Sequence, residues 1–219
     1  MIVNFTTPGK VFSGLLIGSF NSIKFRKILS RSLFYAVGLI PFLLLILDFY
    51  SDRLTAEPIQ EAMHRTGKYT LVLLLITLSC TPLKHLTGIK VFLYLRKTAG
   101  LLSFSYATLH AVIFFIFDYG LDFFFIKEAL FEKPYALMGL FSYILLIPLA
   151  ATSNHFFMRR LGKFWKNIHS LIYVLTAAGI FHFIWLVKSD YRIPLMYGLV
   201  FVFLMAYRVL IFIKKNSKL

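Results

Sequence analysis

The chain has 219 residues, of which 59% are hydrophobic and only 15% are charged. A soluble domain of this size cannot enclose so much apolar surface in one core, so the composition indicates a protein that crosses a membrane several times. The single cysteine, Cys80, excludes an internal disulfide framework, a covalently attached c-type haem and a cysteine-ligated iron–sulfur cluster. The net charge of +15 would suit a nucleic-acid-binding protein, but the positions of the charges explain it better as membrane topology.

Six apolar runs of about 15 to 21 residues follow one another along the chain, at or just under the length that a helix needs to cross the hydrocarbon. They predict an all-α membrane protein, a bundle of six transmembrane helices. An apolar run at 11–20 is too short to cross and is predicted to lie in the membrane interface. The chain then divides into a basic segment at 1–32, a six-helix domain at 33–213 and a basic tail at 214–219. The predicted spans are 33–49, 69–83, 98–117, 136–153, 167–187 and 194–213.

The charges of the loops predict the orientation of the bundle. The N-terminal segment, the second and fourth loops and the C-terminal tail contain Lys and Arg but no acid, whereas all nine acids fall on the opposite side. By the positive-inside rule, both termini are predicted to be cytoplasmic. The nine acids are Asp48, Asp52, Glu57, Glu61, Asp118, Asp122, Glu128, Glu132 and Asp190.

Two histidines are expected at similar depth in the outer half of the membrane, His110 in the third span and His182 in the fifth. Ionisable side chains at membrane depth are rare and usually functional. Two imidazoles from different helices can grip one haem iron from both faces, which leaves no vacant site and suits electron transfer. Hydrogen bonding between helices is the alternative role for these histidines. A zinc site would need three or four ligands, and no other ligand is expected at that depth.

The remaining histidines have other predicted roles. His169 precedes His182 by 13 residues, about 20 Å along a helix, so it belongs to a separate site near the cytoplasmic side. The two side chains are roughly 140° apart around an ideal helix, and only a π-bulge or a bend near Gly179 would turn both to the interior. His64, in the first outer loop, is expected either to cap the second span or to approach an outer cofactor. His85 and His155 are expected to be solvated.

Several blocks of the sequence, taken in order, are similar to one known family. They include AEPIQEAMHRTGKYTL at 56–71 and RKTAGLLSFSYATLHAV at 96–112, each of which contains one of the histidines. The chain resembles the MsrQ (YedZ) family, which belongs to the wider group of ferric-reductase-like transmembrane domains, over about residues 33–212. The other blocks are TPLKHL at 81–86, where the family has a turn that ends the second span, ATS at 151–153, LGKFWKNIHSLIY at 161–173 and HFIWLVK at 182–188.

The resemblance implies a b-type cytochrome of the bacterial inner membrane that passes electrons to a periplasmic molybdopterin enzyme, which reduces methionine sulfoxide in oxidised proteins. It implies haem b, as one group or two, with FMN as a further cofactor. The implied electron donor is the quinone pool or a cytoplasmic flavin reductase. The haem-linked histidines of the family correspond to His110, His182 and His169, and Trp165, one turn before His169, would lie at the inner electron-entry site. Such a subunit transfers electrons and is not expected to catalyse a reaction alone.

One departure from the wider group leaves the ligands and the occupant of the inner site undecided. That group has two histidines on each of two ligand helices, but here the inner position of the third span holds Arg96 or Lys97. Either an inner haem is bound atypically, or His169 serves a propionate, a flavin or a quinone. Two alternative functions also stay open, a quinone-linked b561-like cytochrome and a proton-coupled transporter with histidine relays. The transporter is disfavoured because no acid is expected deep within a span.

Overall fold

The structure is a computed structural model that describes residues 8–187 and 190–217, with side chains from residue 25 onward except at 215. Residues 1–7 of the predicted N-terminal segment and 218–219 of the predicted tail lie outside the described residues. The described residues form helices and no strands. The helices are α1 (Pro8–Tyr50), α2 (Pro58–Thr87), α3 (Val91–Val112), α4 (Phe123–Glu132), α5 (Pro134–Ala151), α6 (His155–Leu161), α7 (Lys163–Leu186) and α8 (Arg192–Asn216), and a π-helical segment, Ile113–Asp118, extends α3.

Six of these helices are long and apolar enough to cross a membrane, which confirms the predicted fold class and number of spans. The helix that contains the first predicted span begins well before residue 33, because α1 is continuous from Pro8. The run at 11–20, predicted as a separate interfacial segment, is part of this helix. No proline occurs between Pro8 and Pro41, so nothing in the backbone stops the helix before the apolar part begins.

The second span also extends beyond its predicted end at residue 83. Pro82 lies inside α2, which continues to Thr87 and ends at Gly88 in a left-handed conformation with φ of 72°. Proline has no N–H and therefore frees the carbonyl four residues earlier, that of Leu78. Arg208 of α8 donates a hydrogen bond to this oxygen over 2.5 Å, so the backbone stays satisfied and the helix does not stop.

The core consists of two helix pairs, α2 with α3 and α5 with α7, which also contact each other. Leu74, Leu78 and Leu175 are among the most buried side chains of this core. Two outer helices complete the bundle, α1 against α3 and α8 against α2 and α7. In the most apolar stretch of α1 and of α8 only 6% of the residues are buried, against 44% in α2. The outer helices therefore present most of their apolar surface to lipid.

The two ends of the bundle differ in charge. All nine acids lie at one end, in or beside the connections that follow α1, α3 and α7, and we call this the acidic end. The other end, called the acid-free end, contains the α2–α3 connection and α6. Helix α4, which the sequence did not predict, lies at the acidic end. Its N-cap residue is Asp122, whose carboxylate accepts hydrogen bonds from the N–H groups of Phe124 and Phe125.

Candidate functional site

The bundle brings His110 of α3 and His182 of α7 together, and we call them the histidine pair. Their ring centroids are 6.3 Å apart and their planes are inclined at 80°. A metal ion bonded to one nitrogen of each imidazole at about 2.0 Å holds the ring centroids about 6 Å apart. The predicted juxtaposition of these histidines is therefore present, and its spacing fits one metal centre between the rings.

A backbone carbonyl orients each ring of the pair. His110 Nδ1 lies 2.9 Å from the carbonyl oxygen of Met63 on α2, and His182 Nδ1 lies 2.6 Å from that of Tyr135 on α5. A carbonyl oxygen can only accept, so Nδ1 carries the hydrogen in each bond and Nε2 keeps its lone pair. This is the arrangement by which proteins present a neutral imidazole to a metal.

A glycine makes room for each ring. A Cβ atom on Gly67 would lie 3.3 Å from His110 Cε1, and one on Gly139 would lie 2.9 Å from His182 Nδ1. Each glycine follows, by four positions, the residue whose carbonyl the histidine contacts. A side chain at that position would therefore lie over the carbonyl on the helix surface. The imidazoles reach these carbonyls because no side chain stands in the way.

The same local arrangement occurs twice in the bundle. Each histidine lies 47 residues after the residue whose carbonyl it contacts. Gly67 and Gly139 each precede their histidine by 43 residues. The α2–α3 pair and the α5–α7 pair thus build equivalent halves of one site. The repeated spacing of Gly and His was the sequence signal that could have identified both glycines.

A cavity of about 280 Å³ adjoins the histidine pair and opens toward the acidic end. Leu71, Leu74 and Phe183 contribute to its apolar wall, whereas Lys68 and Lys133 are among its polar lining. Lys133 Nζ donates to the Tyr119 hydroxyl over 3.0 Å, and this bond raises the pKa of the Lys133 ammonium above its usual value. A largely apolar cavity with a cationic rim suits a flat apolar cofactor that carries anionic substituents.

His64 also lines this cavity. This position is compatible with the second of its two predicted roles, to approach an outer cofactor. It does not cap the second span, because α2 begins at Pro58 with Glu57 as its N-cap residue. Its side chain is exposed in the second turn of α2. His64 therefore lies at the cavity mouth and is not part of the histidine pair.

His169 lies apart from the histidine pair, as predicted, and has Trp165 as its neighbour. The two rings stack with centroids 4.0 Å apart and planes at 26°. Trp165 Nε1 donates to the carbonyl of Thr152 over 3.0 Å, which fixes the indole against the end of α5. Helix α7 is α-helical throughout, so the π-bulge considered for this helix is not there. The π-helical segment instead follows His110.

Two arginines in the same half of the bundle as His169 are functional candidates, and we call Arg96 and Arg208 the arginine pair. Arg96 was noted at the inner position of the third span, whereas Arg208 was not singled out from the sequence. Arg208 donates to the carbonyl of Leu78 and Arg96 to the hydroxyl of Thr81, so both guanidinium groups contact one turn of α2. The Arg208 guanidinium lies 5.3 Å from the centre of the Tyr173 ring. Arg208 falls inside the predicted sixth span, and a charged residue at that position was itself a signal of function.

The described residues contain no group of three or more His, Cys, Asp or Glu side chains that could hold a metal ion. A two-histidine centre therefore needs its other ligands from the bound group, as a porphyrin supplies them. His85 and His155 are both exposed, as predicted. The donor set, the glycine gaps and the apolar wall together fit a haem held by His110 and His182.

Comparison with known proteins gives a consistent result. The family model described as "Ferric reductase like transmembrane component" matches residues 66–180. A "Protein-methionine-sulfoxide reductase heme-binding subunit MsrQ" from Xanthomonas axonopodis pv. citri (strain 306) is 40% identical over 188 residues, which is 83% of this chain and 86% of the relative. The protein of the same name from Bordetella pertussis is 36% identical over 181 residues, 82% of this chain and 88% of the relative. This chain therefore belongs to the MsrQ family within the ferric-reductase-like transmembrane group.

Proposed function

We propose that this protein is the haem-binding, electron-transferring membrane subunit of a protein-methionine-sulfoxide reductase system. The observation that carries the proposal is the histidine pair, whose spacing suits one iron and whose Nδ1 atoms both donate to backbone carbonyls. The relatives that cover most of the chain are named as heme-binding subunits of such a reductase. The chain binds one or two haem b groups, and His110 and His182 hold the one nearer the acidic end.

The arrangement suits electron transfer better than chemistry at a metal. A haem held by two histidines supplies a reversible one-electron centre with both axial positions filled. The protein orients both imidazoles through Met63 and Tyr135, and the apolar cavity wall keeps water from the centre. Such a preorganised surrounding limits the reorganisation that accompanies each electron transfer.

Electrons cross from the acid-free end to the acidic end in this proposal. The charge rule assigns the acid-free end to the cytoplasm, where a flavin reductase or the quinone pool would donate near His169 and Trp165. FMN is a further cofactor of this entry side. The histidine pair then lies on the periplasmic side, where a molybdopterin-containing reductase would accept the electrons and reduce methionine sulfoxide in oxidised proteins.

The test is a visible spectrum of the detergent-purified protein, oxidised and then reduced with dithionite. We expect a sharp b-type α-band in the unaltered protein that is lost in His110→Ala and in His182→Ala, because each change removes one axial ligand. His85→Ala is the matched control, since His85 is exposed at the acid-free end and should leave the band unchanged. In His169→Ala, a partial loss of the band would show that this residue holds a second haem, and an unchanged band would show that it does not.

A colourless protein after expression with added haem would contradict the proposal and favour a transporter. A haem protein whose reduced form is not reoxidised by an oxidised methionine-sulfoxide reductase partner would instead favour a quinone-linked cytochrome of another system. The second experiment mixes the reduced membrane protein with the purified periplasmic enzyme and follows loss of the α-band.

A further inference from the structure

The arginine pair lies in the half of the bundle nearer the acid-free end. Arg96 is on α3 and Arg208 on α8, and both are partly buried within membrane-spanning helices. Both guanidinium groups contact one turn of α2, Arg208 at the carbonyl of Leu78 and Arg96 at the hydroxyl of Thr81. Among the described residues the only ion pairs join Arg65 to Asp48 and to Glu61, at the acidic end. Two cations held at one turn of a membrane helix without a carboxylate are costly unless an anion joins them.

Part of the role of Arg208 is structural. Its guanidinium donates to the carbonyl of Leu78, which Pro82 leaves without a helix partner, and to that of Leu204 in its own helix over 3.5 Å. The face of the guanidinium rests near the ring of Tyr173. These contacts fix the position of the charge and use only some of the N–H donors of the guanidinium group. The backbone bonds do nothing to neutralise the charge.

Arg96 is held less tightly than Arg208. Its one described hydrogen bond is a long one, 3.5 Å from Nη1 to the hydroxyl of Thr81. Neither Arg96 nor Arg208 forms an ion pair with a described carboxylate, so an anion would be attracted to this position from the acid-free end.

We propose that Arg96 and Arg208 form a binding site for a single oxyanion group, a phosphate or a carboxylate, where the side chains of α3 and α8 meet α2. Guanidinium groups bind these anions through paired, charge-assisted hydrogen bonds. Tyr173 of α7, which contacts Arg208, lies one turn after His169, so the stacked rings of Trp165 and His169 offer a flat surface to the remainder of the ligand. The group can come from a lipid headgroup, a flavin nucleotide or a haem carboxylate. This site is distinct from the histidine pair and does not depend on the function proposed for it.

The experiment compares Arg96→Gln and Arg208→Gln with the unaltered chain in detergent. Three probes are used: FMN with riboflavin as its phosphate-free counterpart, phosphatidylglycerol with phosphatidylcholine, and haem content determined after extraction. Lys97→Gln is the matched control, because it removes an exposed positive charge from the next residue of α3. We expect Lys97→Gln to bind like the unaltered chain and both arginine variants to lose about tenfold or more in affinity for the anionic probe.

The probe that shows this loss identifies the source of the anion. Selective loss of FMN over riboflavin indicates a nucleotide phosphate, and selective loss of phosphatidylglycerol over phosphatidylcholine indicates a lipid headgroup. Loss of one haem equivalent, with the α-band of the histidine pair retained, indicates a haem carboxylate. The proposal is overturned if the unaltered chain binds no anionic probe selectively, or if Lys97→Gln weakens binding as much as the arginine variants do.

Arg208→Gln could fail to fold because it removes the partner of the Leu78 carbonyl. The double variant Pro82→Ala with Arg208→Gln separates the two roles, since an alanine in place of Pro82 supplies the missing N–H to Leu78. We expect this double variant to be as stable as Pro82→Ala alone and still deficient in anion binding. A double variant that is well folded and binds the anion normally would show that Arg208 acts only on the backbone.

Discussion

The residues that orient the histidine pair are backbone groups and glycines, and they can be tested one at a time. Gly139 is the more critical glycine, because a Cβ there would lie 2.9 Å from His182 Nδ1 and 3.0 Å from Cε1. We expect Gly139→Ala to displace the imidazole and to weaken or abolish the reduced α-band. Gly67→Ala should act in the same direction but less strongly, since its closest approach to His110 is 3.3 Å.

Gly100→Ala is the control for both glycine substitutions. A Cβ at Gly100 would meet no atom closer than the Thr77 side chain at 3.8 Å, which is ordinary contact. Alanine favours a helix over glycine by about 1 kcal/mol, so Gly100→Ala should keep the α-band and should not lower thermal stability. An unchanged band in Gly139→Ala would contradict the role assigned to the glycine gap.

At the residue scale, the sequence was sufficient to predict that His110 and His182 lie together but not which groups support them. The depths of His110 and His182 followed from span lengths and loop charges, and the structure brings these rings together. The carbonyls of Met63 and Tyr135 could not be predicted, because backbone groups carry no residue-specific signal. Arg208 was missed for a different reason: abundant Lys and Arg near the predicted cytoplasmic side concealed a charged residue that lies inside a span.

Helix α1 is attached to α3 near its internal proline, Pro41. The Tyr106 hydroxyl of α3 donates to the carbonyl of Gly38 over 2.6 Å. The two helices approach so closely there that a Cβ on Gly38 would lie 2.5 Å from Leu102 Cδ1. Since most of α1 faces lipid, this contact is a principal attachment of α1 to the core.

Removing this attachment should loosen α1 without altering the site. We expect Tyr106→Phe to lower stability by about 0.5 to 1.5 kcal/mol, the usual contribution of one hydrogen bond, while the α-band stays unchanged. The measurement is thermal unfolding in detergent, followed both by circular dichroism and by the haem spectrum. Tyr35→Phe provides the control on α1, because Tyr35 is 37% exposed. Equal stability of the two variants would contradict the proposed attachment.

The element boundaries illustrate which sequence signals were adequate. Hydropathy located six spans because the loops between them carry most of the charge. Hydropathy predicts the apolar part of α1 but not where the helix begins, because the helix continues through polar and basic residues from Pro8. The same signal failed at Pro82, where proline normally predicts an end. The donor that permits α2 to continue is supplied by Arg208, 130 residues later in the chain, which local reasoning cannot anticipate.

At the scale of the whole molecule, the bundle holds two different groups of polar side chains, one in each half. The histidine pair lies toward the acidic end, and His169, Trp165 and the arginine pair lie toward the acid-free end. A polar centre in each half of an apolar bundle is the layout expected of a conduit between two aqueous compartments. The direction of that conduit depends on which end faces the cytoplasm.

The orientation can be measured by labelling single cysteines with a membrane-impermeant maleimide. The native Cys80 is only 2% exposed, so the unaltered chain should give a low background. Glu128 at the acidic end and Lys90 at the acid-free end are both exposed and suit replacement by cysteine. In spheroplasts, we expect Glu128→Cys to be labelled directly and Lys90→Cys only after permeabilisation, because the positive-inside rule retains basic loops in the cytoplasm. The reverse pattern would place the histidine pair on the cytoplasmic side, where it could not serve a periplasmic acceptor.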